Sequence, residues 1–362
     1  MSNINIAVVG GGVYGTHMLK CFYDQQRQGR VNLVALADVN PDILETRKKQ
    51  FGVETFTRYQ DMLRNTKLDA IAIATPDHLH YEIIEEAVKH GVHILSQKPL
   101  DVNIDRTKQL ISMCEEAGVL LYVDFHKRFD PAHIRLKQDI QRDKFGTLQY
   151  GYVHMEDKIV VPTDWLRSWA AKSSPSWFLG VHFYDLVYWL TGDKPEKVYA
   201  HGFKGKLESE GIEGAWDSIQ AKVVYQSGVS ITYDVSWILP RSFPSIVNQG
   251  IKLVGEEGIA EVDSQERGYF SSHSSESSSL QVNPYGALEQ DHPLFGNTTE
   301  GYTFSSMSYF IDVVKELING RSLSSLEGCY PSGKEALIST SIGCAVDQSL
   351  ASGEVVSINN LL

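Results

Sequence analysis

Gly10-Gly11-Gly12-Val13-Tyr14-Gly15 is the first stretch of this chain whose residue types and spacing could do chemistry. It joins an apolar, β-branched run, Ile4 to Val9, to a helical stretch through Met18, Leu19, Cys21 and Phe22. A GxGxxG turn in that setting suits a dinucleotide. Gly10 permits the tight turn, Gly12 lets the backbone approach a pyrophosphate, and Gly15 lets helix and strand pack closely. Val13 and Tyr14 open the helix, whose free N–H groups and partial positive charge favour phosphate. The next apolar run, Val31 to Ala37, ends at Asp38, about 20 residues past the last glycine, where a ribose-binding acid belongs. A carboxylate there accepts hydrogen bonds from the ribose and repels a 2′-phosphate, and no Arg or Lys stands at 39 or 40 to attract one. NAD is expected over NADP. The competing reading is that Asp38 only caps the helix beginning near Pro41.

Further elements must position these residues. Asp69 to Ala74 reads as a strand, Tyr81 to Lys89 as a helix stopped by Gly91, and Val92 to Leu95 and Val119 to Val123 as strands. Strands alternating with helices imply a doubly wound parallel sheet, which binds ligands at the carboxyl ends of its strands. Three segments stand there: Thr75-Pro76-Asp77-His78-Leu79-His80, Ser96-Gln97-Lys98-Pro99 and Asp124-Phe125-His126-Lys127-Arg128-Phe129. Farther on, Asp217 to Tyr225 and Val229 to Trp237 read as strands joined by the hairpin signal Gln226-Ser227-Gly228. More strands are expected at 251–254 and 259–263. Met307, Phe310, Ile311, Val314, Leu317 and Ile318 form a helical stripe ended by Asn319-Gly320. Ser271 to Ser279 reads as an exposed loop.

A chain of 362 residues is long for one core, and two domains are expected. The net charge of -12 argues against nucleic acid as a partner. No apolar run approaches the length of about 18 residues needed to cross a bilayer, so no membrane partner is expected. Cys21, Cys114, Cys329 and Cys344 form no CxxC pair, which fits reduced thiols in a cytoplasm. His78 and His80 alone supply no closed ligand set, so no metal is expected. The first residues lack a basic leader and read directly as a strand.

The glycine turn, Ala74-Thr75-Pro76 with His80, Lys98-Pro99, Arg128-Phe129 and Gly180-Val181-His182-Phe183-Tyr184-Asp185 occur in an order that resembles the glucose–fructose oxidoreductase / inositol dehydrogenase / rhizopine-catabolism (Gfo/Idh/MocA) family. The resemblance implies an α/β protein. An N-terminal Rossmann domain, 1–124, precedes a C-terminal α/β domain, 125–362, with a large, mostly antiparallel open sheet. It also implies a homo-oligomer, dimer or tetramer, packed through that sheet. Thr75, Pro76, His80, Gln97 and Lys98 then line the cofactor. The implied activity is NAD-dependent oxidation of a secondary hydroxyl on a sugar, glycoside or cyclitol, or the reverse reduction, with a lean to oxidation of a glucoside at position 3.

Within that resemblance two residues carry the reaction. The Lys98 ammonium can hydrogen-bond the reacting hydroxyl and stabilise negative charge on its oxygen. A neutral His182 imidazole can take the hydroxyl proton, since its pKa lies near working pH. Two positions depart from the family pattern. Gln97 stands where Glu often precedes Lys-Pro, removing a local negative charge. Phe178 stands where an Asp or Asn often lies four residues before the histidine; His126 or Asp157 could serve the proton instead. Arg128, Asp157, Trp165, Arg167 and Asp185 are further substrate candidates, with the alternative that Asp185 is structural and holds the helix. Aromatic faces suit a pyranose, but Trp165, Trp169 and Trp177 could equally be packing between domains. The alternative function is a dinucleotide-binding regulator of the same fold without catalysis.

Overall fold

The structure, a computed structural model, describes residues 3–263, 268–272, 280–283, 285–359 and 361. In chain order the first elements are β1 (Ile4–Val9), α1 (Val13–Arg27), β2 (Val31–Ala37), α2 (Pro41–Phe51), β3 (Glu54–Phe56), α3 (Tyr59–Asn65), β4 (Ala70–Ile73), α4 (His80–Lys89), β5 (His93–Ser96), α5 (Ile104–Ala117) and β6 (Leu121–Val123). There follow α6 (Pro131–Gln141), β7 (Leu148–Lys158), α7 (Val181–Thr191), β8 (Pro195–Phe203), α8 (Lys206–Ser209), β9 (Ser218–Tyr225), β10 (Ser230–Leu239), β11 (Val247–Gly255) and β12 (Ile259–Asp263). The last are β13 (Tyr269–Ser271), β14 (Leu280–Val282), β15 (Leu288–His292), β16 (Gly296–Glu300), α9 (Tyr302–Ile318), α10 (Gly333–Ser352) and β17 (Val356–Ser357).

Two compact units form. One holds Met1–His126 with Ala287–Ala336, the other Lys127–Gly286 with Leu337–Leu362. The first division falls at 126/127, close to the expected 124, but residues 287–336 group with the first unit, so the second unit is not the continuous 125–362 expected from sequence. The reason is α9. Its Met307, Phe310, Ile311 and Val314 are buried, the Phe310 ring meets Tyr122 of β6 edge-on at 5.5 Å, and the Tyr122 hydroxyl donates to Ser306 O at 3.0 Å. A helical stripe in the sequence names its face but not the surface it will cover.

The first unit is built on six parallel strands in the order β3-β2-β1-β4-β5-β6. Every β4 residue is buried, and nearly every β1 residue is, as a strand covered on both faces requires. The order reverses between β1 and β4, and the glycine turn leaves β1 at that switch point. The short β3 and α3 escaped the sequence reading; three residues carry too little periodicity to declare a strand.

In the second unit a seven-stranded sheet runs β12-β11-β7-β10-β9-β8-β17. All neighbours are antiparallel except β7 with β10. The β9–β10 hairpin forms where the sequence placed it, with Gly228 at φ 91°. Alternate burial along β9 and β10 packs one face and leaves the other to solvent. Of the serine tract, Ser271 ends β13, while 273–279 lie outside the described residues. No helix among the described residues is long and apolar enough to cross a membrane.

Candidate active site

The glycine turn has the tolerances a dinucleotide needs. Gly10 sits at φ 94°, and a Cβ there would lie 2.6 Å from Ala74 O. A Cβ on Gly15 would fall 1.8 Å from Gly10 O, so only glycine brings α1 this close to the turn. A Cβ on Gly12, by contrast, would meet nothing within 4 Å. That side of the turn is open. Among the described residues no side chain caps α1, and its first turn carries no acid, which leaves the N-terminal N–H groups of the helix open to an anion. The Asp38 carboxylate accepts from Gly11 N–H at 2.6 Å and Asn40 N–H at 2.8 Å. Asn40, not Asp38, caps α2, accepting from Asp42 N–H at 2.9 Å. The capping alternative for Asp38 therefore falls. Two features escaped the sequence reading: Gly11 must lack a side chain because Ile43 would lie 2.7 Å from its Cβ, and Arg47 donates from Nε to Gly11 O at 3.3 Å.

At the carboxyl end of β4, the Thr75 hydroxyl oxygen is buried and has no hydrogen-bond partner among the described residues. An orphaned group beside an open turn fits a bound dinucleotide, as does the oriented Asp38. His80 is different. It is fully buried, with Nδ1 2.8 Å from Pro99 O and Nε2 3.0 Å from Thr75 O, and burial pulls its pKa down. It braces the loops after β4 and β5 rather than offering a nitrogen to the cofactor. Lys98 lies half-buried in the second of those loops, and the Lys98–Pro99 bond is cis.

Behind these loops the structure gathers Tyr14, Gln97, Asp124 and His126. Asp124 is fully buried and accepts from Gln97 Nε2 at 2.6 Å, the Tyr14 hydroxyl at 2.9 Å and the Ser306 hydroxyl at 2.6 Å. The His126 Nδ1 lies 3.9 Å from the carboxylate and 3.4 Å from the Tyr14 oxygen, its ring stacked on Tyr302. Burial alone would raise the Asp124 pKa, but the His126 imidazole and the Ser306 and Tyr14 hydroxyls outweigh it and hold the carboxyl below its ordinary range. Burial, with Asp124 adding to it, pushes the Tyr14 phenol well above its own. A buried carboxylate, Asp124, thus stands directly against the Gln97 amide. Sequence reasoning could not foresee this cluster, because Ser306 arrives from a helix some 180 residues away in the chain.

In the second unit, His182 is buried in the first turn of α7. Phe178 precedes it on a π-helical turn, Ser176–Gly180, and meets Trp169 at 6.1 Å and Trp237 at 5.9 Å, both edge-on. Where a polar partner was expected there is an aromatic wall. Arg128 and Asp185 are both buried and turned on each other, Nε to Oδ2 at 2.8 Å. This ion pair ties the short turn His126–Phe129 to α7, so both residues position the helix instead of standing ready for substrate. Arg167 is likewise committed to carbonyls, Thr163 O at 3.4 Å and Glu210 O at 3.2 Å. Trp165 is exposed, Asp157 is buried on the packed face of β7, and Trp177 donates to Asp347 at 2.7 Å within the core. Lys127, which sequence reasoning passed over, is buried, bonded to Gln249 and seated 4.6 Å over the Phe183 ring.

Residues 4–125 match the family model described as the oxidoreductase family with an NAD-binding Rossmann fold (GFO_IDH_MocA), and 133–261 match that of the GFO/IDH/MocA C-terminal domain. The chain is 26% identical over 261 residues to a myo-inositol 2-dehydrogenase of Thermotoga maritima, covering 70% of this chain and 74% of that one. The structure of scyllo-inositol dehydrogenase from Lactobacillus casei with bound NAD(H) and scyllo-inositol superposes with a TM-score of 0.77 at 18% identity, covering 99% of this chain and 100% of that one. GenD2 from gentamicin A biosynthesis, in complex with NAD, gives a TM-score of 0.81 at 20% identity, covering 99% and 97%.

Proposed function

The chain belongs to the GFO/IDH/MocA oxidoreductase family, whose N-terminal domain is an NAD-binding Rossmann fold, and from that premise we propose that it oxidises a secondary hydroxyl of a sugar, glycoside or cyclitol, or runs the reverse reduction. The observation that carries the reading is the open Gly12 turn beside an Asp38 held in place by two N–H groups. It suits an adenosine with free ribose hydroxyls. Bound NAD supplies the hydride acceptor. Lys98 hydrogen-bonds the reacting hydroxyl and steadies negative charge on its oxygen, and a neutral His182 takes its proton. Thr75 and Pro76 line the cofactor.

A relative named as a myo-inositol 2-dehydrogenase supports the substrate class. Within that class, the partly exposed Phe178 ring, one turn before His182, and the Trp169 ring it meets suit the apolar face of a pyranose. A glucoside oxidised at its third carbon is therefore the first compound to try. The outer face of the seven-stranded sheet, with exposed Tyr150, Tyr152 and Tyr199, is the proposed self-association surface, and a solution mass of a single protomer would contradict it. The test of function is NADH formation by the purified protein across a panel of sugars, cyclitols and glycosides. At least one member should give a steady rate. Silence across the panel, with NAD bound, would overturn the proposal in favour of a non-catalytic regulator or a redox-neutral enzyme that keeps its cofactor.

A further inference from the structure

Asp38 marks the adenosine half of the crevice, after β2. Gln97 and Asp124 follow β5 and β6, on the other side of the switch point, in the half of the sheet that takes the nicotinamide end of a dinucleotide. There the chain has placed a carboxylate with no exposed surface; the Gln97 amide, the Tyr14 phenol and the Ser306 hydroxyl donate to it, and the His126 Nδ1 stands 3.9 Å away. Three such bonds stabilise the ionised form without cancelling its charge. Gln97 also belongs to the segment that carries Lys98, and its own Nε2 is spent on Asp124 rather than on a ligand.

We infer that Asp124 sets the protein's preference between the two redox states of its cofactor, its buried charge favouring the cationic nicotinamide of NAD over the neutral ring of NADH. In the buried half of such a site a unit charge several ångströms away still acts strongly, because little water screens it. The same preference makes bound NADH the better hydride donor, since whatever favours one member of a couple on the protein disfavours forming the other. The inference rests on NAD being the dinucleotide bound.

The test is the ratio of dissociation constants, Kd for NADH over Kd for NAD, measured by calorimetry at about pH 8.5, well above the reference imidazole value of about 6.5. Asp124→Asn keeps the size and removes the charge. It should lower the ratio by about tenfold, the order expected for one partly screened charge. A second variant, Gln97→Glu with Asp124→Asn, returns one carboxylate to the pair with the amide on the other side, and should hold the ratio at or above the wild-type value. A ratio within about twofold of wild type in a folded Asp124→Asn protein overturns the inference. So does a double variant whose ratio falls below wild type, and that arm decides the matter if the single variant does not fold. Failure of wild type to bind either dinucleotide would instead sink the cofactor reading itself.

Discussion

Four glycines fall in the six residues of the turn, and Gly15 and Gly12 carry two different burdens that single substitutions can separate. Ala at 15 places a methyl 1.8 Å from Gly10 O and must push α1 off the turn, at a cost of about 1–3 kcal/mol by analogy with overpacked sites. Ala at 12 meets no protein atom, and the backbone there, φ -65°, accepts any residue. Gly12→Ala should therefore leave Tm unchanged while raising the Kd of NAD by about tenfold or more. Thermal melts and NAD titrations on both variants check this. A Gly12→Ala protein that binds NAD normally would show that the pyrophosphate does not approach there.

At the scale of elements, α7 matters because it carries His182, and the Arg128–Asp185 pair is what fixes it to the turn before α6. Removing one member of a buried pair strands the other charge. Arg128→Ala should thus cost about 3–5 kcal/mol in denaturant unfolding, and Arg128→Met with Asp185→Leu should recover most of it. Equal losses in the single and double variants would contradict a pairing role. This pair also marks where sequence reading runs out. Arg128 reads as a substrate group because a polar residue in a catalytic segment invites that reading, and Asp185 reads equally as a structural residue of the helix; only the fold shows the two facing each other. The glycine turn, the alternation of strands with helices and the β9–β10 hairpin were legible because each is signalled by residues close in sequence. His80 as a brace, Asp124 as a hub and α9 as cover for the first unit were not, since their partners come from distant segments. Hydrophobic period and turn chemistry are local signals; the satisfaction of a buried polar group is not.

Across the whole molecule, three histidines of the first unit titrate together against the native state. Burial pulls His17 down to about 4 and lowers His80 and His93 as well. His93 also accepts Leu120 N–H on Nδ1 at 3.1 Å, a bond that protonation would break. Each native imidazole stays neutral below the ordinary value of about 6.5, where the unfolded chain takes up protons. Stability is then full above that value and falls as pH drops from it towards 4, with His17 worth on the order of 3 kcal/mol at most. Tm recorded from pH 7 to pH 4.5 should decline, and His17→Gln should flatten the slope. A flat profile in the native protein would contradict neutral burial.

The most direct test of hydride transfer assisted by this chain's own residues is Lys98→Ala, assayed for NAD affinity and for NADH formation with any compound the wild type oxidises. NAD should bind with nearly unchanged Kd, while turnover falls by about a hundredfold or more, the order lost with one group that stabilises charge on the reacting oxygen. NADH formation at an undiminished rate would contradict the account.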